Sequence, residues 1–192
     1  MSLYTGMGLV SQVFDETALT QLPGGIAIGH NRYSTMGSSR PTNAQPVVVG
    51  KNTGRIALGH NGNIVNVEYL RQELVERGYH LSTTTDSEVI ANLIVASPGK
   101  TWVEKIRHVM GRLQGAYSLV ILTHDALIGV RDPFGVRPLC LGRLNGGWVV
   151  ASESCALDHI GASFLREVEP GEIVSIDDRG VESFRGADSR RK

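Results

Sequence analysis

The sequence carries almost no charge imbalance: 19 Lys and Arg stand against 19 Asp and Glu in 192 residues. A nucleic-acid binder needs a cationic surplus against phosphates, so neutrality argues against that class. The one basic cluster, Arg190-Arg191-Lys192, reads as a solvated terminus. Cysteine is nearly missing. Cys140 and Cys155 alone do not build a disulfide framework, and without a CxxC pair or clustered His they do not build a zinc site. No apolar run approaches the roughly 20 residues of a membrane helix, and no signal-peptide core follows Met1. The chain is therefore read as soluble and cytoplasmic, with neither nucleic acid nor membrane as partner. Aromatic residues make up only 6%, whereas there are 23 glycines, a balance that suits a turn-rich sheet protein. Neither GxGxxG after a strand nor GxxxxGK[ST] is present, which removes the two common nucleotide fingerprints. No Gly/Ser linker divides the chain. One domain is expected over 1–186, with 187–192 as a tail or the start of a linker.

What is present is a dense series of strand signals. IAIGHN (26–31) and IALGHN (56–61) repeat one pattern, Ile26 and Ile28 against Ile56 and Leu58, each run then turning polar. They predict strands at 25–31 and 55–61 whose ends leave the core for a polar rim. Further strands are expected at 46–50, 115–123, 126–131, 138–144, 147–152, 163–168, 171–177 and 180–185, with Asn145-Gly146 as a hairpin turn. Helices are expected at 66–77, where Asn66 is the N-cap and Gly78 the stop, at 86–96 after Thr85, and at 102–112 after Thr101. Shorter ones are expected at 15–22 behind Asp15 and at 154–160. Strands joined by short connections, with consecutive helices among them, indicate an α+β layered fold.

The polar rim carries the chemistry. Strand 25–31 delivers Arg32, strand 55–61 delivers Asn61-Gly62, and helix 86–96 opens with Asp86. Brought together, these groups suit a free α-amino acid. Arg32 can hold the α-carboxylate in two parallel hydrogen bonds, and Asp86 can accept from the α-ammonium. The Asn61 amide and the Gly62 N–H can face an oxygen that turns negative when a side-chain amide is attacked. Taken singly, each residue has a plainer reading. Arg32 would be a structural ion-pair residue, Asp86 a carboxylate favoured by the helix dipole, and Asn61-Gly62 a turn. His30 and His60 read as hydrogen-bonded core histidines.

Seven segments then occur in a familiar order: GMGLVSQVF (6–14), GHNRYST (29–35), NAQP (43–46), HNGN (60–63), TTDSEV (84–89), RDPFGVRPL (131–139) and ASESCA (151–156). Together, over about residues 4–186, they closely resemble the glutaminase half of the amidophosphoribosyltransferase family, the glutamine phosphoribosylpyrophosphate amidotransferases. The resemblance implies an N-terminal-nucleophile hydrolase fold, a four-layer αββα sandwich of two mostly antiparallel sheets. It implies glutamine as substrate, with Arg32 and Thr35 at its carboxylate, Asp86 at its ammonium, and Asn61 and Gly62 as the oxyanion hole. It also implies a linked phosphoribosyltransferase domain that makes 5-phosphoribosylamine for purine biosynthesis, and a homo-oligomer at full length. No cofactor is expected in this chain; any magnesium or iron–sulfur cluster would belong to the rest of such an enzyme.

The sequence departs from the family at its start. The family's nucleophilic cysteine and the strand-helix-strand unit it opens are not among these residues, and Ser2 lies in the wrong place to replace it. The chain alone is accordingly expected to be inactive, and to be of low stability or self-associating. Two alternatives stay open: a glutamine-binding module without chemistry, and another amidotransferase of the same class, serving glucosamine phosphate or asparagine synthesis. The loop 131–139 is read as structural, its Asp132-Pro133-Phe134-Gly135 suiting a type I turn, and both cysteines as buried thiols.

Overall fold

The computed structural model describes residues 1–32 and 40–189. Two short helices, α1 (Val10–Val13) and α2 (Glu16–Thr20), precede the main body. The Asp15 side chain caps α2 by accepting from the Ala18 N–H at 2.7 Å. Strands β1 (Val47–Val49) and β2 (Ile56–Ile64) are followed by three helices, α3 (Val67–Glu76), α4 (Asp86–Ala96) and α5 (Trp102–Met110). Then come β3 (Gly115–Leu122), β4 (Leu127–Arg131), β5 (Cys140–Leu144), β6 (Gly147–Ala151), α6 (Ser154–His159), β7 (Ser163–Glu167), β8 (Glu172–Asp177) and β9 (Gly180–Arg185).

The strands form two antiparallel sheets. One has six strands in the order β1-β2-β3-β4-β8-β9, the other three in the order β6-β5-β7. Alternation along single strands decides the layering. In β3, Tyr117, Leu119 and Ile121 enter the core shared with α3, α4 and α5, while Val120 points the other way, toward Leu139, Leu141 and Trp148. In β8, Ile173 faces the helices, and Val174 and Ile176 face the second sheet. On the outer side of that sheet, Leu157 of α6 packs on Cys140 and Ala162. The order of layers is therefore helices, sheet, sheet, helix, in agreement with the αββα expectation.

Local chemistry explains the helix boundaries. Thr101 and Glu104 form a complete capping box at α5, and Thr85 accepts from the Glu88 N–H at α4. Gly78 ends α3 at φ +84°, a conformation that glycine adopts without a Cβ penalty. Asn145 and Gly146 both take positive φ in the β5–β6 hairpin, as a type I′ turn requires.

Two expectations fail here. Residues 25–31 form no strand, and Ile26 is exposed. The alternation marks an extended chain, but joining a ladder needs a free edge in register, which local sequence does not encode. Asn66 occupies the N-cap position of α3 yet makes no cap bond. Its amide donates to the Arg112 carbonyl at 2.9 Å and its oxygen accepts from the Gln114 N–H at 3.1 Å, pinning the α5–β3 connection instead.

Candidate functional site

A mismatch in strand length creates the site. β2 has nine residues and β1 only three, so β1 covers β2 at Ile56–Leu58 and leaves the rest of that edge uncovered. Pro46, with no N–H to give, stands where the β1 ladder would continue. Side chains take over. Gln45 Oε1 accepts the His60 N–H at 2.8 Å, and Asp86 Oδ2 accepts the Ile64 N–H at 3.3 Å. The Val65 N–H instead donates to the Gln114 carbonyl, on the β3 side. By the strand's alternation, the Gly62 N–H points to the same edge as those of His60 and Ile64, midway between two satisfied donors.

That edge opens into a cavity of about 880 Å³ lined by Arg32, Asn61, Gly62 and Asp86. The structure thus brings together four of the five residues singled out from sequence. The fifth, Thr35, lies outside the described residues. Arg32 is half-buried, and Asp86 is only 6% exposed. Burial pushes the Asp86 carboxyl upward. The His60 imidazole (Nδ1 3.4 Å from Oδ1), together with the N–H groups of Ile64 and Ser87, outweighs that and holds it below the usual aspartate value. A cavity holding a guanidinium, an ionised carboxylate and inward N–H donors can take a zwitterion with an amide side chain.

The turn that carries Asp86 is tightly held. Glu88, itself buried, accepts from the Ser82 N–H (2.8 Å), the Ser82 hydroxyl (2.8 Å) and the Thr83 N–H (2.7 Å). Arg71 donates to the Thr83 carbonyl at 3.1 Å and to the Thr85 carbonyl at 3.0 Å. Thr85 and Glu88 have the spacing of a capping box, but only half of one forms at α4: Thr85 caps, while Glu88 serves the preceding turn. Glycine is needed at position 62. Its φ is +149°, and a Cβ there would run into the Ala116 carbonyl and the Tyr117 Cα. Gly62→Ala is expected to cost roughly 2–4 kcal/mol of stability through overpacking and strain together. Urea denaturation measures it, and a loss below 1 kcal/mol would mean that the strand end can relax.

His60 is a buried histidine as expected, its Nδ1 toward Asp86, although its Nε2 has no hydrogen-bond partner among the described residues. His30 lines the cavity, and its imidazole is pushed down to about 4, first by burial and then by the neighbouring His60 and Arg32. The native protein therefore keeps His30 neutral where the unfolded chain already takes a proton. Stability is expected to be complete above about pH 6.5, to fall as pH drops toward 4, and to level off below that, an effect on the order of 2–3 kcal/mol. Denaturation midpoints at pH 7 and 4.5 test this. His30→Gln should flatten that part of the profile, and an unchanged slope would contradict the assignment.

Sequence reasoning gave no role to Gln45, Arg137, Trp148 or Glu153, all of which line the cavity. The NAQP run was visible but silent, because a side chain that replaces a strand partner leaves no periodic signal. Cys155 corrects another expectation. It is exposed and faces the cavity from the first turn of α6, whose only buried residue is Leu157. Cys140 is buried as expected. Among the described residues no group of three or more His, Cys, Asp or Glu is placed to hold a metal ion, and no helix is long and apolar enough to cross a membrane.

The chain is 50% identical to an amidophosphoribosyltransferase of Synechococcus elongatus, over 97% of this chain and 39% of that one. It is 52% identical to amidophosphoribosyltransferase 2, chloroplastic, of Arabidopsis thaliana, over 92% of this chain and 32% of the relative. The chain thus spans about two fifths or less of the length of these relatives. Among solved structures, the glutamine phosphoribosylpyrophosphate amidotransferase of B. subtilis, complexed with ADP and GMP, superposes with a TM-score of 0.87 at 42% identity, covering 94% of this chain and 39% of that one. Residues 30–159 match the family described as a glutamine amidotransferase domain. That match runs from His30 at one wall of the cavity to His159 at the end of α6, and the chain belongs to the glutamine amidotransferase domain family.

Proposed function

We propose that this chain is the glutaminase part of an amidophosphoribosyltransferase, releasing ammonia from L-glutamine for transfer to phosphoribosylpyrophosphate in purine biosynthesis. One observation carries the reading: Arg32, Asn61, Gly62 and Asp86, from three separate segments, line a single cavity. In this reading Arg32 grips the α-carboxylate and Asp86 the α-ammonium, which fixes both polar groups of the amino-acid end. The side-chain amide then lies against the β2 edge. Attack on its carbonyl carbon makes the oxygen negative, and the Asn61 amide and Gly62 N–H take up that charge, each worth roughly 3–4 kcal/mol in the transition state. The nucleophile is assigned, by family resemblance, to a cysteine whose own amine is the base. The acceptor half is assigned to a linked phosphoribosyltransferase domain, in keeping with relatives more than twice as long. Two free thiols, Cys140 and Cys155, suit a reducing compartment such as the cytoplasm.

Glutaminase turnover by the chain joined to a cysteine-initiated leader tests the reading, with Arg32→Ala as control. The parent is expected to release ammonia from L-glutamine, and the variant to lose about a hundredfold in kcat/KM. Full activity in Arg32→Ala would remove the carboxylate assignment. Micromolar glutamine binding without turnover would favour a binding module.

A further inference from the structure

Along the uncovered β2 edge, Asn43, Gln45 and Thr84, which have no part in the chemistry above, join with Asp86 in a ring of side chains. Asn43, only 1% exposed, is bonded twice to Thr84: its amide donates to the Thr84 hydroxyl at 3.0 Å, and its oxygen accepts the Thr84 N–H at 3.2 Å. Two residues on, Gln45 accepts the His60 N–H at 2.8 Å. Thr84 is two residues from Asp86, which closes the ring by accepting the Ile64 N–H. The short segment 43–45 is therefore tied at one end to the turn carrying the proposed ammonium acceptor. At its other end it is tied to the strand carrying the proposed oxyanion donors.

We infer that Asn43 and Gln45 are positioning residues that fix the separation between Asp86 and the Gly62 N–H, and so select an amino acid of glutamine's length over one a methylene shorter. The inference rests on the glutamine reading of the cavity. Its physical basis is that Asp86 and Gly62 lie on different elements, α4 and β2, joined by apolar packing and by two long Asp86 contacts, to the Ile64 N–H at 3.3 Å and to His60 Nδ1 at 3.4 Å, which leave room for small sliding. Buried amide hydrogen bonds with defined directions oppose that sliding. A site whose two anchoring points drift by about 1 Å loses on the order of a hundredfold in productive geometry. A ligand of fixed length would feel the drift more than one already too short to reach both points.

Three variants of the chain test this by calorimetry with L-glutamine and L-asparagine. Gln45→Met keeps the side-chain length but removes the acceptor, Gln45→Glu restores an acceptor, and Asn43→Ala removes both bonds to Thr84. Gln45→Met and Asn43→Ala are expected to weaken glutamine binding by about tenfold or more and to shrink the glutamine-over-asparagine ratio, while Gln45→Glu retains both. Should Asn43→Ala not fold, the two Gln45 variants decide. An unchanged ratio in Gln45→Met would overturn the inference, as would equal losses in Gln45→Met and Gln45→Glu. Asp86→Asn and Arg32→Ala serve as controls for the glutamine reading itself. If both bind glutamine normally, that reading fails, and amide exchange in the ligand-free chain judges the ring alone. Faster exchange at Ile64, the far end of the ring, in Gln45→Met would support the ring, and unchanged exchange there would overturn it.

Discussion

Asp86→Asn is expected to weaken L-glutamine binding by a hundredfold or more while leaving the chain folded. Asparagine retains an oxygen for the Ile64 N–H, so the β2 edge keeps its acceptor. What disappears is the negative charge. A cationic ammonium would then meet the buried end of the site beside the His60 imidazole with no counter-charge at that position. Removing one partner of a buried ion pair costs about 3–5 kcal/mol, and 3 kcal/mol already corresponds to more than a hundredfold in affinity. Calorimetry on parent and variant, with melting curves as control, measures the effect. Binding of equal strength in both would show that the ammonium is held elsewhere. Because its neighbours hold the Asp86 carboxyl below the usual aspartate value, its contribution to the fold is present above that usual value. It is lost only as pH falls through the lower native one.

The largest loss of stability is expected at Asp132, which makes no contact with the proposed substrate. Asp132 is fully buried, and its carboxylate accepts three backbone N–H groups: Phe134 at 2.8 Å, Val136 at 3.2 Å and Tyr117 at 3.3 Å. Its neighbour Arg131, also buried, donates to the carbonyls of Gly135, Arg137 and Val168 and pairs with Glu167 at 2.8 Å. These two charges hold the β4–β5 connection at its backbone. Asp132→Ala removes this acceptor from the buried Tyr117 N–H and from the part-buried N–H groups of Phe134 and Val136. At about 1–3 kcal/mol each, partly relieved by water, the loss is expected near 4 kcal/mol, a large share of the roughly 5–15 kcal/mol of a typical domain. Urea denaturation would show it as a shifted midpoint at unchanged slope. A loss below 1 kcal/mol would mean that the loop finds other partners.

That loop shows how far the sequence could be read. Asp132 to Gly135 suggested a type I turn, and the Gly135 N–H does donate to the Asp132 carbonyl at 3.0 Å. Nothing in the local pattern announced that the Asp132 side chain would also reach Tyr117 on another strand. The same limit recurs elsewhere. Caps at Asp15, Thr85 and Thr101 were legible because they are bonds within one turn, and β3, β4 and β8 because alternation is local. The 25–31 segment was misread because strand membership depends on a distant edge. Arg32, Asn61, Gly62 and Asp86 were legible as chemistry, but their shared cavity was an inference from residue types and family likeness. Gln45 escaped because its role is to stand in for a missing strand neighbour. The αββα layering came from the resemblance; pattern alone reached only α+β.

The shortness of β1 has one more consequence. The pocket floor includes a stretch of strand edge that another strand could have covered, so the recess exists by omission. Loops around the rim can therefore vary in length without reshaping that floor. Lengthening β1 past Pro46 would, by contrast, zip the opening shut from one side and convert a receptor into plain sheet.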